Sequence, residues 1–421
     1  MNVFLYNIFV YSLWAGMWLI SPWNKKACAW LDGREAWKEK ILGWKKEGNG
    51  GQVIWMHCAS LGEFEQGRPV LEGLAKMYPG ARILLTFFSP SGFEIQKNYT
   101  LASLVCYLPL DTPANARWFL DQVNPTVVLW IKYEYWYHLL KEIHHRKIPA
   151  LLVSAVFMPW QNFFKWYGKF WRNMLHFFDV IFVQDKSSLK LLQKTGYTGP
   201  AICAGDTRFD RVLDIAQKPN DLPGIFKEFC NGEKIIIAGS TWPEDEKILL
   251  HYANINPQVK LIIAPHQVDP IHMEEVNKGF RNSILYSRAV TSGENISGYH
   301  VLIIDNIGML SVLYQYADIT YIGGGFGDAG IHNTLEAAVF GKPVIFGPEH
   351  EKFTEAFGLM DCGGAFTITN ALELEKIFDE LLENNKALLK AGNAAGKYVS
   401  DHAGATKIIL DYVEGNRLMI N

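Results

Sequence analysis

Short aliphatic runs recur from residue 52 to residue 368, and stretches with helical spacing of apolar residues lie between them. That alternation confines the chain to parallel α/β sheets, because parallel neighbours need a crossover and a helix is the usual one. Strands are expected at residues 53–57, 82–87, 104–107, 126–131, 150–154, 180–183 and 201–204. A second set is expected at residues 234–238, 260–264, 300–304, 319–322, 343–346 and 365–368. Residues 214–232, with Pro219, Pro223 and Gly224, suit a connection between two domains. With 421 residues, 49% of them hydrophobic and 20% charged, the chain can bury two such cores. The expected architecture is two similar α/β domains facing a cleft, with a last helix over residues 403–419 that the sequence assigns to neither.

Residues 321–347 read as strand, glycine loop, helix and strand without a gap. Gly323, Gly324, Gly325, Gly327 and Gly330 let backbone N–H groups approach a ligand closely, and a helix starting near Asn333 points its positive end at the same spot. A nucleotide-sugar suits such a cradle. A second reading stays open, since Asn333 followed by Glu336 also has the spacing of a helix cap whose only role is stability.

A net charge of −3 with scattered basic residues gives no support for nucleic acid as a partner. The six cysteines lie far apart without a CxxC pair, which suits free thiols in a reducing compartment, and no run has metal-ligand spacing. Residues 3–20 carry no charge and are rich in Phe, Tyr, Trp and Leu, and Lys25 and Lys26 follow. The segment is just long enough to span or deeply enter a bilayer, and the lysines after it would keep the remainder cytoplasmic. A buried or interfacial helix is the alternative, to which Asn7 and Ser12 point. Residues 163–178 interleave Lys165, Lys169 and Arg172 with aromatic residues, suiting either a helix on an anionic surface or core packing.

Six motifs then occur in order: Ala59-Ser60-Leu61-Gly62-Glu63, Ser89-Pro90-Ser91-Gly92, Tyr133-Glu134-Tyr135-Trp136, Gly205-Asp206-Thr207-Arg208-Phe209-Asp210, Gly239-Ser240-Thr241, and the block from His332 and Asn333 to Pro343. Together with the apolar N-terminus they resemble the 3-deoxy-D-manno-octulosonic acid (Kdo) transferases of lipopolysaccharide synthesis, over nearly the whole chain. The resemblance implies a membrane-associated glycosyltransferase of the GT-B fold, two Rossmann-like domains facing a cleft. It further implies transfer of Kdo from CMP-Kdo to the 6′ position of a tetraacylated lipid A precursor (lipid IVA), with inversion and without a metal or other cofactor. The implied partners are CMP-Kdo, the lipid A precursor and membrane lipid, at the inner (cytoplasmic) membrane with the catalytic domains facing the cytoplasm. On this basis residues 1–23 form an anchor, 24–215 the acceptor domain, 216–400 the CMP-Kdo-binding domain and 401–421 a C-terminal helix.

Inverting transfer needs a base for the acceptor hydroxyl, and Glu63 stands where the family places it. The Ser60-to-Glu63 spacing is also that of a capping box, so both roles stay open. Ser60, Gly62, Ser89, Ser91 and Glu134 fall in the acceptor or transition-state site by the same resemblance. Gly239, Ser240, Thr241, Pro265, His266, Gly324, Gly325, His332, Asn333, Thr334 and Glu336 fall in the donor site, with Glu336 gripping the ribose. The chain departs from the family where Pro265-His266-Gln267 replaces Pro-Arg-His, Trp242 replaces His, Asp206 replaces Asn, and Lys132 replaces the first Glu of Glu-Thr-Glu. Besides the Kdo transferase, two other readings remain: another membrane-associated GT-B enzyme or a nucleotide-sugar epimerase, and an inactive sugar-nucleotide-binding module.

Overall fold

The computed structural model describes residues 2–48, 50–218, 223–328 and 330–419. Residues 219–222 of the expected connection, residue 329 of the glycine loop, residue 1 of the expected anchor and residues 420–421 of the last segment lie outside the described residues. The chain divides into two compact units, Met1–Arg211 with Ala403–Asn421, and Val212–His402.

The first unit contains seven strands: β1 Val53–Cys58, β2 Arg82–Phe87, β3 Leu104–Tyr107, β4 Val127–Ile131, β5 Ala150–Ala155, β6 Val180–Val183 and β7 Ala201–Cys203. They form one sheet in the order β3-β2-β1-β4-β5-β6-β7, with every pairing parallel. Successive side chains of β1 go to opposite faces: Val53 and Trp55 join one core, Ile54, Met56 and Cys58 the other. Both faces are covered, which is why these strands read as continuous apolar runs rather than alternating ones.

The last segment, expected at 401–421 as a separate helix, belongs to the first unit. Its helix Ala405–Gly415 buries Ala405, Ile409 and Val413, one face at four-residue spacing, against the core that holds Val70, Leu71 and Leu74. Asp210 caps its start, accepting from Gly404 N at 2.6 Å and Thr406 N at 2.7 Å. The division therefore falls at residues 211/212 and 402/403 rather than at 215/216 and 400/401.

The N-terminal helix, Val3–Ile20, is long and apolar enough to cross a membrane by length and composition. It is nevertheless not a segment apart, because Tyr6 and Val10 are buried against Phe170 and Met174. Polar contacts reinforce the seat: the Tyr6 hydroxyl donates to Asp111 Oδ2 at 2.5 Å, and His138 Nε2 and Asn7 Oδ1 are 2.6 Å apart. Residues 163–178 do not form one surface helix. They divide into the short turn Asn162–Phe164 and the helix Lys169–Leu175, and Phe163, Phe170 and Phe178 enter the core. Arg172 is spent on the carbonyls of Phe163 (2.7 Å) and Lys165 (3.2 Å), while Trp166 stays 92% exposed.

The second unit repeats the plan with β8 Ile235–Thr241, β9 Lys260–Pro265, β10 Ser283–Leu285, β11 Val301–Ile303, β12 Ile319–Ile322, β13 Val344–Phe346 and β14 Ala365–Thr367. The sheet order is β10-β11-β9-β8-β12-β13-β14, again parallel throughout. Strand β10 has three residues, too few to register as a periodic signal, and was not expected. In the first sheet the strand order reverses between β1 and β4; in the second the corresponding reversal lies between β8 and β12, with β10 and β11 exchanged at the edge. The carboxyl ends of strands at such a reversal are where open α/β sheets hold their ligands.

Candidate functional site

At the reversal in the first unit, β1 carries a polar residue, His57, next to its last position in an otherwise apolar strand. His57 is fully buried and pairs in register with Thr86 of β2. The Thr86 hydroxyl accepts the Trp55 indole N–H at 2.9 Å and lies 3.0 Å from His57 Nδ1. On the other side of the ring the Glu134 carboxylate, an acceptor, takes His57 Nε2–H on its Oε2 at 3.0 Å. The same carboxylate oxygen accepts Trp136 Nε1–H at 3.0 Å. Glu134 is thereby fixed at the end of β4, and His57, Thr86 and Trp136 hold it. Sequence reasoning passed over His57 and Thr86, since only the register brings them together, and named Trp136 only as part of its motif; the lone histidine in β1 was the available signal.

Glu63 sits in the first turn of the helix Leu61–Met77 and is 8% exposed. Its Oε2 accepts the Ala59 N–H at 2.5 Å, but the N-cap Ser60 makes no side-chain cap bond, so the reciprocal half of a capping box is missing. Burial pushes the Glu63 carboxyl up to about 7; the Ala59 N–H opposes that shift, the negative charge of Glu134 adds to it, and Lys132 opposes it. Ser89 caps the helix Pro90–Gln96, its Oγ accepting Ser91 N–H at 3.3 Å and lying 3.0 Å from Ser91 Oγ. Ser89 N–H in turn donates to Ala59 O at 2.8 Å. Ser60, Gly62, Glu63, Ser89 and Ser91 therefore stand at the starts of two adjoining helices, with Glu134 close enough to act on Glu63 through its charge. A buried carboxyl poised near neutrality can act as a general base.

Motif residues Gly205 to Asp210 serve the scaffold. Asp206 pairs with Arg208 (2.7 Å), Thr207 donates to Gln66 O at 2.5 Å, and Asp210 caps the final helix.

At the reversal in the second unit, Gly239 tolerates no side chain, because a Cβ there would overlap the Tyr314 hydroxyl. Ser240 follows with φ +53°, a left-handed turn that leaves its hydroxyl without a partner among the described residues. Thr241 is buried and its hydroxyl donates to Glu246 Oε1 at 3.0 Å, so it builds the turn rather than facing a ligand. Asp245, which the sequence reading missed, ties the two glycine-bearing loops together. Its carboxylate accepts Trp242 N–H at 2.9 Å, Gly324 N–H at 2.8 Å and the Tyr321 hydroxyl at 2.7 Å. The Trp242-to-Asp245 spacing before a helix was the available signal.

His266, next to Pro265 at the end of β9, is stacked between two rings: Trp242 at 4.8 Å and His332 at 4.4 Å between centroids. The Trp242 Nε1–H donates to His332 Nε2 at 3.1 Å, which requires that nitrogen to be unprotonated. Burial first, then His266, lowers the His332 imidazole to about 4. The three residues that depart from or flank the family pattern thus form one stacked wall.

The helix expected from Asn333 is shorter than the sequence suggests, Leu335–Ala338, so its dipole is correspondingly small. Asn333 Oδ1 accepts Leu335 N–H at 3.1 Å and Asn333 Nδ2 donates to Glu336 Oε1 at 3.0 Å. Glu336 Oε1 therefore meets the Asn333 side chain. Thr334 is fully buried and its hydroxyl has no partner among the described residues. Gly324, with φ +91°, and Gly325, packed on Gly347, form the loop above them.

Two parallel α/β units, each with its conspicuous residues at the strand reversal, define a GT-B glycosyltransferase fold. Solved structures share it: MurG of Acinetobacter baumannii has a TM-score of 0.53 at 15% identity, covering 87% of this chain and 100% of that one. UDP-GlcNAc 2-epimerase of Neisseria meningitidis, bound to UDP-GlcNAc, has a TM-score of 0.59 at 16% identity with the same coverages of 87% and 100%. These likenesses show the fold alone. The family model for 3-deoxy-D-manno-octulosonic-acid transferase (kdotransferase) matches residues 35–211. The 3-deoxy-D-manno-octulosonic acid transferase of Haemophilus influenzae is 27% identical over 383 residues, 87% of this chain and 88% of the relative. That of Aquifex aeolicus is 29% identical over 345 residues, 80% of this chain and 88% of the relative. Over residues 35–211 the chain thus matches the Kdo transferase family model, and over most of its length it is similar to 3-deoxy-D-manno-octulosonic acid transferases.

Proposed function

We propose that this chain transfers Kdo from CMP-Kdo to the 6′ hydroxyl of a tetraacylated lipid A precursor, with inversion at the anomeric carbon. The observation that carries the reading is the state of Glu63: buried, poised at about 7, and not committed to a capping box. Its Oε2 is held by Ala59 N–H, and Oε1 has no partner among the described residues. Oε1 takes the acceptor proton as the hydroxyl oxygen bonds to the anomeric carbon and the bond from that carbon to the CMP phosphate breaks. CMP leaves with the electron pair. Ser240, the loop at Gly324 and Gly325, and the neighbourhood of Asn333 offer donors to its phosphate, and Glu336 takes the ribose hydroxyls. His266 and His332 form the wall where relatives carry an arginine. The reaction calls for no cofactor.

On the membrane side, we read the Val3–Ile20 helix as lying in the cytoplasmic face of the inner membrane. Tyr6 and Val10 face the domain, while Phe4, Trp14, Trp18 and Leu19 are exposed as an apolar stripe. Mass spectrometry of the purified protein mixed with CMP-Kdo and the tetraacylated precursor tests the transfer. A precursor left unmodified, with CMP-Kdo intact, overturns it, and an inactive Glu63→Gln beside an active wild type separates an enzyme from a binding module.

A further inference from the structure

Two buried hydroxyls of the second unit have no hydrogen-bond partner among the described residues. One is that of Thr334. The other belongs to Tyr314, which lies outside every motif of the sequence and is 2% exposed. Tyr314 opens the short turn Tyr314–Tyr316, which packs against β8 and the helix Leu335–Ala338. Its phenol reaches over Gly239, the residue before the left-handed Ser240, and the nearest atom that a Cβ on Gly239 would meet is the Tyr314 hydroxyl oxygen. The ring alone accounts for the packing, and a phenylalanine would supply it. The oxygen adds only a polar group withdrawn from water, which costs free energy until something bonds it.

The surroundings narrow what that something is. Glu336, whose Oε1 accepts Asn333 Nδ2–H at 3.0 Å, is close enough to act on Tyr314 through its charge. Burial first, then that charge, push the Tyr314 hydroxyl well above its ordinary value, so it keeps its proton and can donate. A phosphate brought to this spot would meet the Glu336 carboxylate as a like charge. A neutral group carrying neighbouring hydroxyls meets no such repulsion: one hydroxyl donates to the carboxylate while the other accepts from the tyrosine. The two ring hydroxyls of a ribose have that character, and a deoxyribose has only one of them.

We propose that Tyr314 is a specificity-determining residue: its hydroxyl, at the Gly239 turn, donates to a ribose hydroxyl of the bound nucleotide and makes the second unit select a ribonucleotide over the deoxy form. This rests on the reading of that unit as the one that binds CMP-Kdo, and it names the part of the nucleotide that is discriminated. A site built to bond a hydroxyl rejects the analogue lacking it, because its own buried oxygen is then left unpaired. A structural tyrosine would show the opposite economy, with its oxygen bonded inside the fold whether or not a nucleotide is present.

The test uses the full chain in detergent, with CMP, 2′-deoxy-CMP and 3′-deoxy-CMP as probes, binding measured by calorimetry and stability by melting curves without nucleotide. Wild type should bind CMP at least about tenfold more tightly than one of the two deoxy forms. Tyr314→Phe should weaken CMP by about tenfold and leave the affinity for that deoxy form within about twofold of wild type, so that the discrimination disappears. Its melting temperature should be unchanged or higher, since the variant removes an unpaired buried oxygen and keeps the ring. Thr334→Val, nearly the same shape without the hydroxyl, controls for the other unpaired oxygen: discrimination of that deoxy form that persists in Thr334→Val and vanishes in Tyr314→Phe assigns it to Tyr314. Three results overturn the proposal: wild-type discrimination in Tyr314→Phe, an equal loss for CMP and both deoxy forms, and a lowered melting temperature with CMP affinity intact, which assigns the hydroxyl to a bond within the fold or to a buried water. If the wild type discriminates as expected but transfers no Kdo, Tyr314 keeps its role and the transfer reading falls. Kdo transfer by a wild type that binds CMP and both deoxy forms alike removes the role of Tyr314 and leaves the transfer reading standing.

Discussion

The Tyr6 hydroxyl, on the N-terminal helix, donates to the buried Asp111 carboxylate at 2.5 Å and accepts Tyr137 N–H at 3.1 Å. Asp111 also accepts the N–H groups of His138 and Leu139, both at 2.8 Å, so one tyrosine completes a network that starts the helix Tyr137–His145. Burial first of all pushes the Asp111 carboxyl up to about 6, and its three donors oppose that shift. A helix read from sequence as a detachable anchor is thus part of the first unit's polar interior.

Tyr6→Phe should therefore lower stability by about 1–3 kcal/mol, since it leaves a buried carboxylate and a backbone N–H each short of a partner. Removing residues 2–20 should lower the melting temperature as well as release the protein from membranes. Chemical denaturation checks both, and a truncated chain as stable as the full one would show that the network is dispensable.

Glu63→Gln should abolish transfer by at least about 100-fold while CMP affinity holds, because the base acts on the acceptor. In the wild type the acid limb of the kcat/KM profile should fall near pH 7, where the buried carboxyl loses its proton. Glu134 raises the Glu63 carboxyl, so Glu134→Gln should move that limb to lower pH. The stability sign is opposite to the activity sign. With a folded value of about 7 against an ordinary 4.5, the contribution of Glu63 to stability is fully present below pH 4.5 and lost as pH rises through about 7. Stability curves of the wild type and Glu63→Gln should then differ in slope over that window and run parallel outside it.

The strands were legible because buried parallel strands are continuous apolar runs, and β10 was not because Ser283–Leu285 is too short to show a period. Glu63 could be picked out because its motif is local. His57 and Thr86 could not, since what unites them with each other is strand register, which is not written in spacing. The donor motif was legible as a glycine loop, yet Thr241 turned inward to Glu246 and the Leu335–Ala338 helix proved short, outcomes decided by tertiary packing rather than by local pattern. The seat of the N-terminal helix was not legible, because hydropathy does not report that Tyr6 and Asn7 meet Asp111 and His138 from across the sequence.

Asp245 gives a comparison between two substitutions. Asp245→Ala strands two backbone N–H groups and the Tyr321 hydroxyl in a buried turn and should cost on the order of 3 kcal/mol. Asp245→Asn can point its carbonyl oxygen at the two N–H groups and its amide at the Tyr321 oxygen, so it should cost no more than about 1 kcal/mol. CMP binding should follow the same order, since the bond to Gly324 N–H holds the glycine loop. Equal stabilities for the two variants would mean the loop keeps its shape without Asp245.

Glu336→Ala separates ligand binding from capping. The carboxylate bonds the Asn333 side chain at 3.0 Å, and the helix it opens spans only Leu335–Ala338. If the carboxylate holds the ribose hydroxyls, CMP affinity should fall by about 1–3 kcal/mol, the range for hydrogen bonds to a charged group. Calorimetry with CMP and a melting curve on the same sample decide between the roles. Weaker CMP binding at an unchanged melting temperature is expected, because Asn333 Oδ1 still accepts Leu335 N–H at 3.1 Å without Glu336. The reverse pattern, an intact CMP affinity with a lowered melting temperature, assigns Glu336 to the helix start and leaves the ribose to other groups.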